Sequence, residues 1–390
     1  MSFWKNTKAV FQRELRQMFA RPIYVFAPII VMAFTFVFFL TFFQEGVPQE
    51  LPIGVVDHDH STMSRRVVRE FNAIQAVHVN KNYSSYSEAR QDLQDGKIYG
   101  FVEIPTDWYA NVGGNKRPEL TIYVNNAYLL GGTLSYRGML TLGNLASGAY
   151  ERIVLRMKGV QEDQLMGLLQ PIIIDAHQIG NVYTNYGIYL LNLLIPGVLQ
   201  LLILLTTAFA IGYELKSKSS KKWLETANGS MIAAMVGKLL PYSFLFVILG
   251  IGSNVILYDF CGYPINGHEY NMMLNMILFV FSSQCMGIFA IGLFPILRES
   301  IFFCSFYGIL AFSLAGFTFP VEYMHPVWSG LANLFPLRHF FLFYSKEAVF
   351  ATGFAGWWPQ VIGMLAFGFF PIAIYKRLEN ALIKQNYPLK

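Results

Sequence analysis

The sequence predicts a polytopic α-helical membrane protein, with six transmembrane helices in a 1+5 arrangement and a small extracytoplasmic α/β domain between the first and second spans. Three observations predict it. Of the 390 residues 54% are apolar and only 14% charged, which sets the chain apart from a soluble protein of two or three domains. Six stretches contain no Asp, Glu, Lys or Arg: Pro22 to Gln44, Ala176 to Tyr213, Leu239 to Tyr258, Tyr270 to Leu297, Ser300 to Val321 and Ala348 to Tyr375. Each reaches the roughly 20 residues that a helix needs to cross about 30 Å of hydrocarbon. Lastly, residues 1–21, 212–238, the Arg298-Glu299 turn and 376–390 together hold 15 Lys and Arg against 5 Asp and Glu, whereas the rest of the chain holds 14 against 19.

The elements follow in order. Residues 1–21 read as a cytoplasmic interfacial helix: Phe11, Leu15, Met18 and Phe19 fall on one face, with Lys8, Arg13 and Arg16 elsewhere. Residues 22–44 form the first span. Its apolar core exceeds the 7–15 residues typical of a signal peptide and no small-x-small cleavage site follows, so it reads as a retained anchor.

Residues 45–184 are long enough for a domain of their own. "LPIGVVD", "AVHVN", "IYGFVEIP" and "ELTIYVNN" read as strands, and "STMSRRVVREFNAI" and "SYSEARQDLQDGK" as helices, the first begun by Ser61 as N-cap. A long helix is expected from Leu129 to Lys158, and "PIIIDAHQI" supplies an extended return to the membrane. Residues 185–375 then hold five spans and a loop at 213–237, and 376–390 form a tail. Positive charge in short loops marks the cytoplasmic side. Both termini are therefore expected in the cytoplasm, and 45–184 in the periplasm or outside the cell.

The chemistry-bearing motifs are mostly absent. There is no GxxxxGK[ST], HExxH, CxxC or GxSxG. No catalytic, cofactor or metal site is expected on this chain, and no nucleic-acid partner. Asp57, His58, Asp59 and His60 crowd together, but neighbours at a strand end point to opposite faces, and a turn capped by Asp59 or Ser61 fits them better than a metal site. Arg65, Arg66 and Arg69 read as a solvated helix face. Cys261, Cys285 and Cys304 all lie in or beside spans, so the α/β domain must fold without disulfides.

The spans are almost free of ionisable groups, which disfavours a proton-coupled carrier. They offer Asn192, Gln200, Asn254, Ser282, Ser283, Gln284 and Ser313 instead, with prolines at 196, 241, 295, 320 and 371. A pathway lined by aromatic and uncharged polar groups, driven by an outside energy source, fits this better. Arg338, His339, Tyr344 and Lys346 read as anchors at the external interface.

The segment "YELKSKSSKKWLETANGSMIAAMVGKLLPY", residues 213–242, is the basic interruption between two apolar stretches. Read from composition, it is a short helix on the cytoplasmic membrane surface whose lysines meet anionic lipid. It also resembles the first cytoplasmic loop of type-2 ATP-binding-cassette (ABC) exporter permeases. Glu214, Leu224, Thr226, Gly237, Lys238, Pro241 and Tyr242 match that pattern, while Lys218, Ser219 and Ala227 stand where Gly, Thr and Pro are usual. "VFQRELRQMFARP" is similar to the family's N-terminal interfacial helix, "IGVVDHDHSTMSRRVVREF" to the start of the external domain in its larger members, and "GFTFPVEYMHPVWSGLANLFPLRHFF" to its short helices dipping into the outer leaflet.

The resemblance implies an ABC-2 type permease acting in export from a bacterial inner (plasma) membrane; the aromatic-rich spans suit drugs, lipids or other amphipathic substrates, and family analogy leaves sodium, peptides and exported polymers open. It implies an ATPase-coupling loop at Glu214, Lys216, Lys218, Lys221, Lys222, Trp223, Leu224 and Thr226. The N-terminal interfacial helix would contribute Phe11, Arg13, Glu14, Leu15, Arg16 and Met18. ATP and Mg would bind to a partner ABC ATPase; a second permease chain, identical or sister, completes the pathway, and a periplasmic adaptor is a further candidate partner. Two other classes fit the sequence less well. A membrane-anchored receptor with an external ligand-binding domain would hardly need five clustered spans, and a membrane-embedded enzyme would have to draw on "LRHFFLFYSKE".

Overall fold

The computed structural model describes residues 3–113, 119–182, 184–385 and 387; residues 1–2, 386 and 388–390, the extremities of the two predicted cytoplasmic segments, lie outside them. The chain divides into a helical unit, residues 3–46 with 178–387, and an α/β unit, Val47–His177.

The helical unit opens with α1 (Phe3–Ala20) and α2 (Ile23–Phe42). α2 exposes Phe26, Phe34, Phe38 and Phe42, as lipid-facing helices do.

The α/β unit follows: β1 (Leu51–Asp57), α3 (Thr62–Phe71), β2 (Val77–Tyr83), α4 (Tyr86–Gln94), β3 (Gly100–Ile104), α5 (Trp108–Gly113), β4 (Thr121–Val124), α6 (Leu129–Met157) and α7 (Glu162–Leu169). The strands lie in the order β2-β1-β3-β4, parallel except for β4. Strand alternation separates two cores. Ile53, Val55, Val102 and Ile104 pack on one side with Val67 and Phe71 of α3 and Met139 and Leu142 of α6. Val56 and Phe101 pack on the other with Ala89 of α4. Ser61 caps α3 by accepting the Ser64 N–H at 3.0 Å. Asp57 binds the turn before it, accepting the N–H groups of Asp59 and His60, both at 3.0 Å, and the Ser64 hydroxyl at 2.8 Å. The acidic-histidine cluster is thus held as a turn. Sequence periodicity missed α5 and α7, which are too short for a full amphipathic repeat.

The helical unit resumes with α8 (Tyr186–Lys216), α9 (Ser220–Thr226), α10 (Met231–Val255) with a π turn at Ile256–Phe260, α11 (Glu269–Leu293) and α12 (Leu297–Leu314). Then come α13 (Pro326–Ala332), α14 (Pro336–Tyr344), a second π turn at Ser345–Val349, α15 (Phe354–Ala366), α16 (Phe369–Ala373) and α17 (Tyr375–Lys384). Asn185 starts α8 by accepting from Gly187 N at 2.7 Å and Ile188 N at 3.2 Å. The second span therefore begins at Tyr186, ten residues into the charge-free stretch from Ala176. Pro295, which has no N–H to donate, separates α11 from α12 and places Arg298 and Glu299 in the first turn of α12.

Five described helices are long and apolar enough to cross a membrane. The sixth predicted span departs from a single helix: it begins only at Phe354, after Ala351 and Gly353 at positive φ, and bends by 44° between Ala373 and Tyr375. Where α8 crosses α12, a Cβ at Gly197 would run into the Phe312 ring. Such close approach is how helices pack when lipid supplies no hydrophobic drive between them.

The polar side chains of the spans are turned inward. Asn192, Gln200, Asn254, Ser282, Ser283 and Gln284 are all buried within the bundle, and of those singled out only Ser313 faces outward. Tyr258 donates to Asn192 at 3.0 Å and Ser243 to Gln284 at 2.8 Å. Asn192, Asn254 and Gln284 in this way link neighbouring elements, whereas the buried side chains of Gln200 and Ser283 have no hydrogen-bond partner among the described residues.

Tyr344 is buried as well, and His339 lies against Gln360 and the Asn333 carbonyl at 3.2 and 2.9 Å, so neither stands as a free interfacial anchor. Beside them Glu347 accepts from His268 N at 2.9 Å, Asn271 Nδ2 at 2.7 Å and Trp357 Nε1 at 2.9 Å. It joins the start of α11 to α15, and a carboxylate suits a helix N-terminus. Glu347→Ala should leave these donors without an acceptor and lower stability by about 2 kcal/mol, while Glu347→Gln should lose less. Thermal unfolding of the detergent-purified chain, monitored by size exclusion, tests this; equal melting of both variants would rule it out.

Candidate coupling site

α1 meets the bundle through a face the apolar pattern did not point to. Asn6, Thr7, Val10, Glu14 and Met18 are buried, Phe11 and Leu15 are half-buried, and Phe19 is 76% exposed. The stripe Phe11, Leu15 and Phe19, joined by exposed Trp4, therefore flanks the protein contact and faces away from it. Met18 alone of the predicted apolar face lies in the core.

The buried stripe lies on α10, where Gly237 permits it: a Cβ there would stand 2.6 Å from the Thr7 carbonyl oxygen and 2.7 Å from Val10 Cβ. This close approach brings together four charged side chains. Arg13 donates twice to Glu214, at 2.8 and 3.1 Å. Lys238 donates to Glu14 at 2.6 Å and to Glu214 at 3.0 Å, and Tyr242 to Glu14 at 2.9 Å. Ser219 also donates to Glu214. Lys238 is 1% exposed and the two glutamates 2% each. Two cations balance two carboxylates, and hydrogen bonds occupy their oxygens, as burial of charge requires.

The network is joined to α9 through Trp223. This residue is fully buried, and Lys238 Nζ lies 5.1 Å from its ring centroid. α9 is also held from a third direction. Trp223, Ala227 and Leu215 form one core with Val10 of α1, Met231 of α10, and Ile374, Leu378 and Leu382 leading into and along α17. Ser220 donates to the Leu382 carbonyl at 2.7 Å, Gln385 to the Lys218 carbonyl at 2.9 Å, and Asn228 to Asn6 at 2.7 Å.

The predicted loop residues thus separate into two groups. Lys216, Lys218, Lys221 and Lys222 are exposed, with Leu224 and Thr226 half-buried beside them. Glu214 and Trp223 are interior. Glu214 acts as an internal strut tying α8 to α1 and cannot itself be part of a docking surface. Arg16 is exposed; Arg13, Glu14 and Glu214 converge with Lys238 and Tyr242, which the sequence singled out as matches to the family pattern without giving them a role at the site. A lone Lys just before a charge-free stretch was the available signal for the first. The spacing of Ile374, Leu378 and Leu382, four residues apart, was the signal for α17.

Five or six helices long and apolar enough to span define a multi-pass membrane protein. The profile of ABC-2 family transporter proteins matches residues 22–375, and the chain belongs to that family. No curated protein matches it. Membership makes it the membrane component of an ABC transporter, a class that generally lacks its own nucleotide site and works with an ATPase subunit.

Proposed function

We propose that this chain is the permease subunit of an ATP-driven exporter in a bacterial inner membrane, with α1, α9 and α17 in the cytoplasm and the α/β unit in the periplasm. The seating of α9 carries the reading. A seven-residue helix presenting four exposed lysine neighbours is fixed to α1, α10 and α17 by a buried ion network and a shared core. A displacement of α9 is therefore passed to the start of α10 and the end of α8 as to one body.

The partner ATPase would bind ATP and Mg, and its closure would push on this platform so that the spans reopen outward. The excess of Lys and Arg around α9 and at the chain ends supports the orientation. A second permease chain, the same or a sister, shares the pathway, with or without a periplasmic adaptor. The aromatic, lipid-facing spans support drugs, lipids or other amphipathic molecules as cargo.

Reversing Lys216, Lys218, Lys221 and Lys222 to Glu should cut recovery of the ATPase on affinity-purified chain by about tenfold, a loss of roughly 1.4 kcal/mol, with the amount of permease in the membrane unchanged because these side chains are exposed. Undiminished recovery with all four reversed would defeat the docking role. ATP-dependent accumulation of a lipophilic dye in inside-out vesicles tests direction; accumulation only in right-side-out vesicles would mean import.

A further inference from the structure

The end of α12 brings together a cation without a counter-charge and a run of unused backbone donors, and the transport mechanism calls on neither. Arg338 is half-buried in the first turn of α14, where the helix dipole disfavours positive charge. Its guanidinium has two neutral partners, both distant: Nε donates to Asn333 Oδ1 at 3.3 Å and Nη1 to the Ala315 carbonyl at 3.5 Å. Among the described residues Nη2 meets no acceptor and no carboxylate is bonded to the group. Glu322 acts on it only through space.

The backbone beside Arg338 differs from other helix ends in this chain. α4 and α6 each finish on a glycine at positive φ, Gly96 and Gly159. Both send their N–H back into the helix, to the Leu93 and Arg156 carbonyls at 3.2 and 3.0 Å, and the residue after each does the same at 2.9 and 3.1 Å. Gly316 holds the same position after α12, with φ 92°. Yet the N–H groups of Gly316, Phe317, Thr318 and Phe319 reach no acceptor among the described residues. Right-handed Ala315 followed by left-handed Gly316 turns successive N–H groups to one side, which makes a concave seat for an anion. Tyr189 of α8 holds the segment by donating to the Phe317 carbonyl at 2.5 Å, and the N–H of that same peptide, on Thr318, therefore points away from α8.

The guanidinium and this turn meet at one place: a Cβ on Gly316 would stand 2.8 Å from Arg338 Nη1. The end of α12 contributes about half a negative charge and the start of α14 about half a positive one. The full charge of Arg338 is left over. A planar fork of N–H groups beside free backbone donors suits the oxygens of a phosphate. Depth selects the form that phosphate takes. The seat lies at the end of a helix long and apolar enough to span, and Phe319, Tyr323 and Trp328 on the segment that follows are 52%, 80% and 51% exposed, as aromatic side chains are at headgroup level. We propose that Arg338 and the N–H groups of Gly316 to Phe319 bind the phosphate of an anionic phospholipid in the leaflet where α12 ends. The site lies within the helical unit and stands independently of export and its direction.

The full chain, purified in uncharged dodecyl maltoside, would carry isotope labels on glycine carbonyl carbon and phenylalanine nitrogen, so that magnetic resonance reports the Phe317 amide among four Gly-Phe amides. A Phe317→Leu sample assigns the signal. Titration with phosphatidylglycerol is expected to move it downfield and to leave the other three in place. Dioleoylglycerol, which has acyl chains and no phosphate, should not move it, nor should inorganic phosphate at the same concentration. Arg338→Gln should weaken the response to phosphatidylglycerol about tenfold, whereas Lys346→Gln, at the next lysine or arginine along the chain, should leave it unchanged. The proposal is overturned if phosphatidylglycerol leaves the Phe317 amide unmoved, or if dioleoylglycerol moves it equally. A full response to inorganic phosphate would overturn it in favour of a soluble oxyanion, and equal weakening by both charge variants would reduce it to general attraction. The three titrations of the parent chain decide the matter even where Arg338→Gln fails to fold.

Discussion

Lys238→Ala is expected to leave little folded protein in the membrane. The substitution strands Glu14 and Glu214, each 2% exposed, with Arg13 as their sole remaining cation. Breaking a buried charge network by removing one partner costs about 3–5 kcal/mol, because the opposite charge stays behind without compensation. The companion variant Glu14→Gln/Lys238→Met removes one charge of each sign and keeps the Arg13–Glu214 pair, so it should melt closer to the parent than Lys238→Ala does. Thermal unfolding of the parent, Glu14→Gln, Lys238→Met and their double variant gives the coupling directly. A single variant as stable as the parent, or a double variant worse than the sum of the singles, would show that the network does not hold α1 in place.

Gly237→Val should have the next largest effect and a different signature. The added side chain needs space taken by the Thr7 carbonyl and Val10, so α1 must lift from α10 and Arg13 and Glu14 withdraw from Lys238. The bundle core, built from α8, α10, α11 and α12, does not contain this contact, and the protein should still insert. With Asn6→Cys and Asn228→Cys, whose parent side chains meet at 2.7 Å, oxidation should cross-link the parent chain readily and the Gly237→Val chain at least about tenfold less, with ATPase recovery falling in step. Equal cross-linking in both would mean that α1 does not depend on that glycine. Gly237→Ala, demanding less space, should fall between them.

The reach of the sequence differed by element for physical reasons. Spans and strands were visible because burial imposes a period or an uninterrupted apolar run over enough residues to register. Their ends were less so, being set by local devices: the Asn185 cap, Pro295, and Gly353 at positive φ. The apolar run of the sixth span began at Ala348, ahead of the helix start at Phe354, because the end of the π turn and the loop after it are apolar too, while its end at Tyr375 coincides with the 44° bend. At the coupling site, apolar patterning identified the face of α1 turned away from the protein, because the face against α10 is held by Glu14, Thr7 and Asn6. Exposed lysines were recognisable by composition alone; that Glu214 points inward depends on Arg13 and Lys238, 201 and 24 residues away in the chain.

The seat of α9 also bears on how the molecule is made. Its three walls come from the first 20 residues, from the helix directly following it, and from Leu378, Leu382 and Gln385. During synthesis, α9 leaves the ribosome after α1 but well before α17, so its polar and apolar contacts stay incomplete through insertion of every span. A chain halted after the last span carries the lysines yet lacks the wall that fixes Ser220 and Trp223. The seat of α9 thus matures last; if α9 docks the ATPase as proposed, the time at which a newly inserted subunit can take up its motor is set by translation of α17.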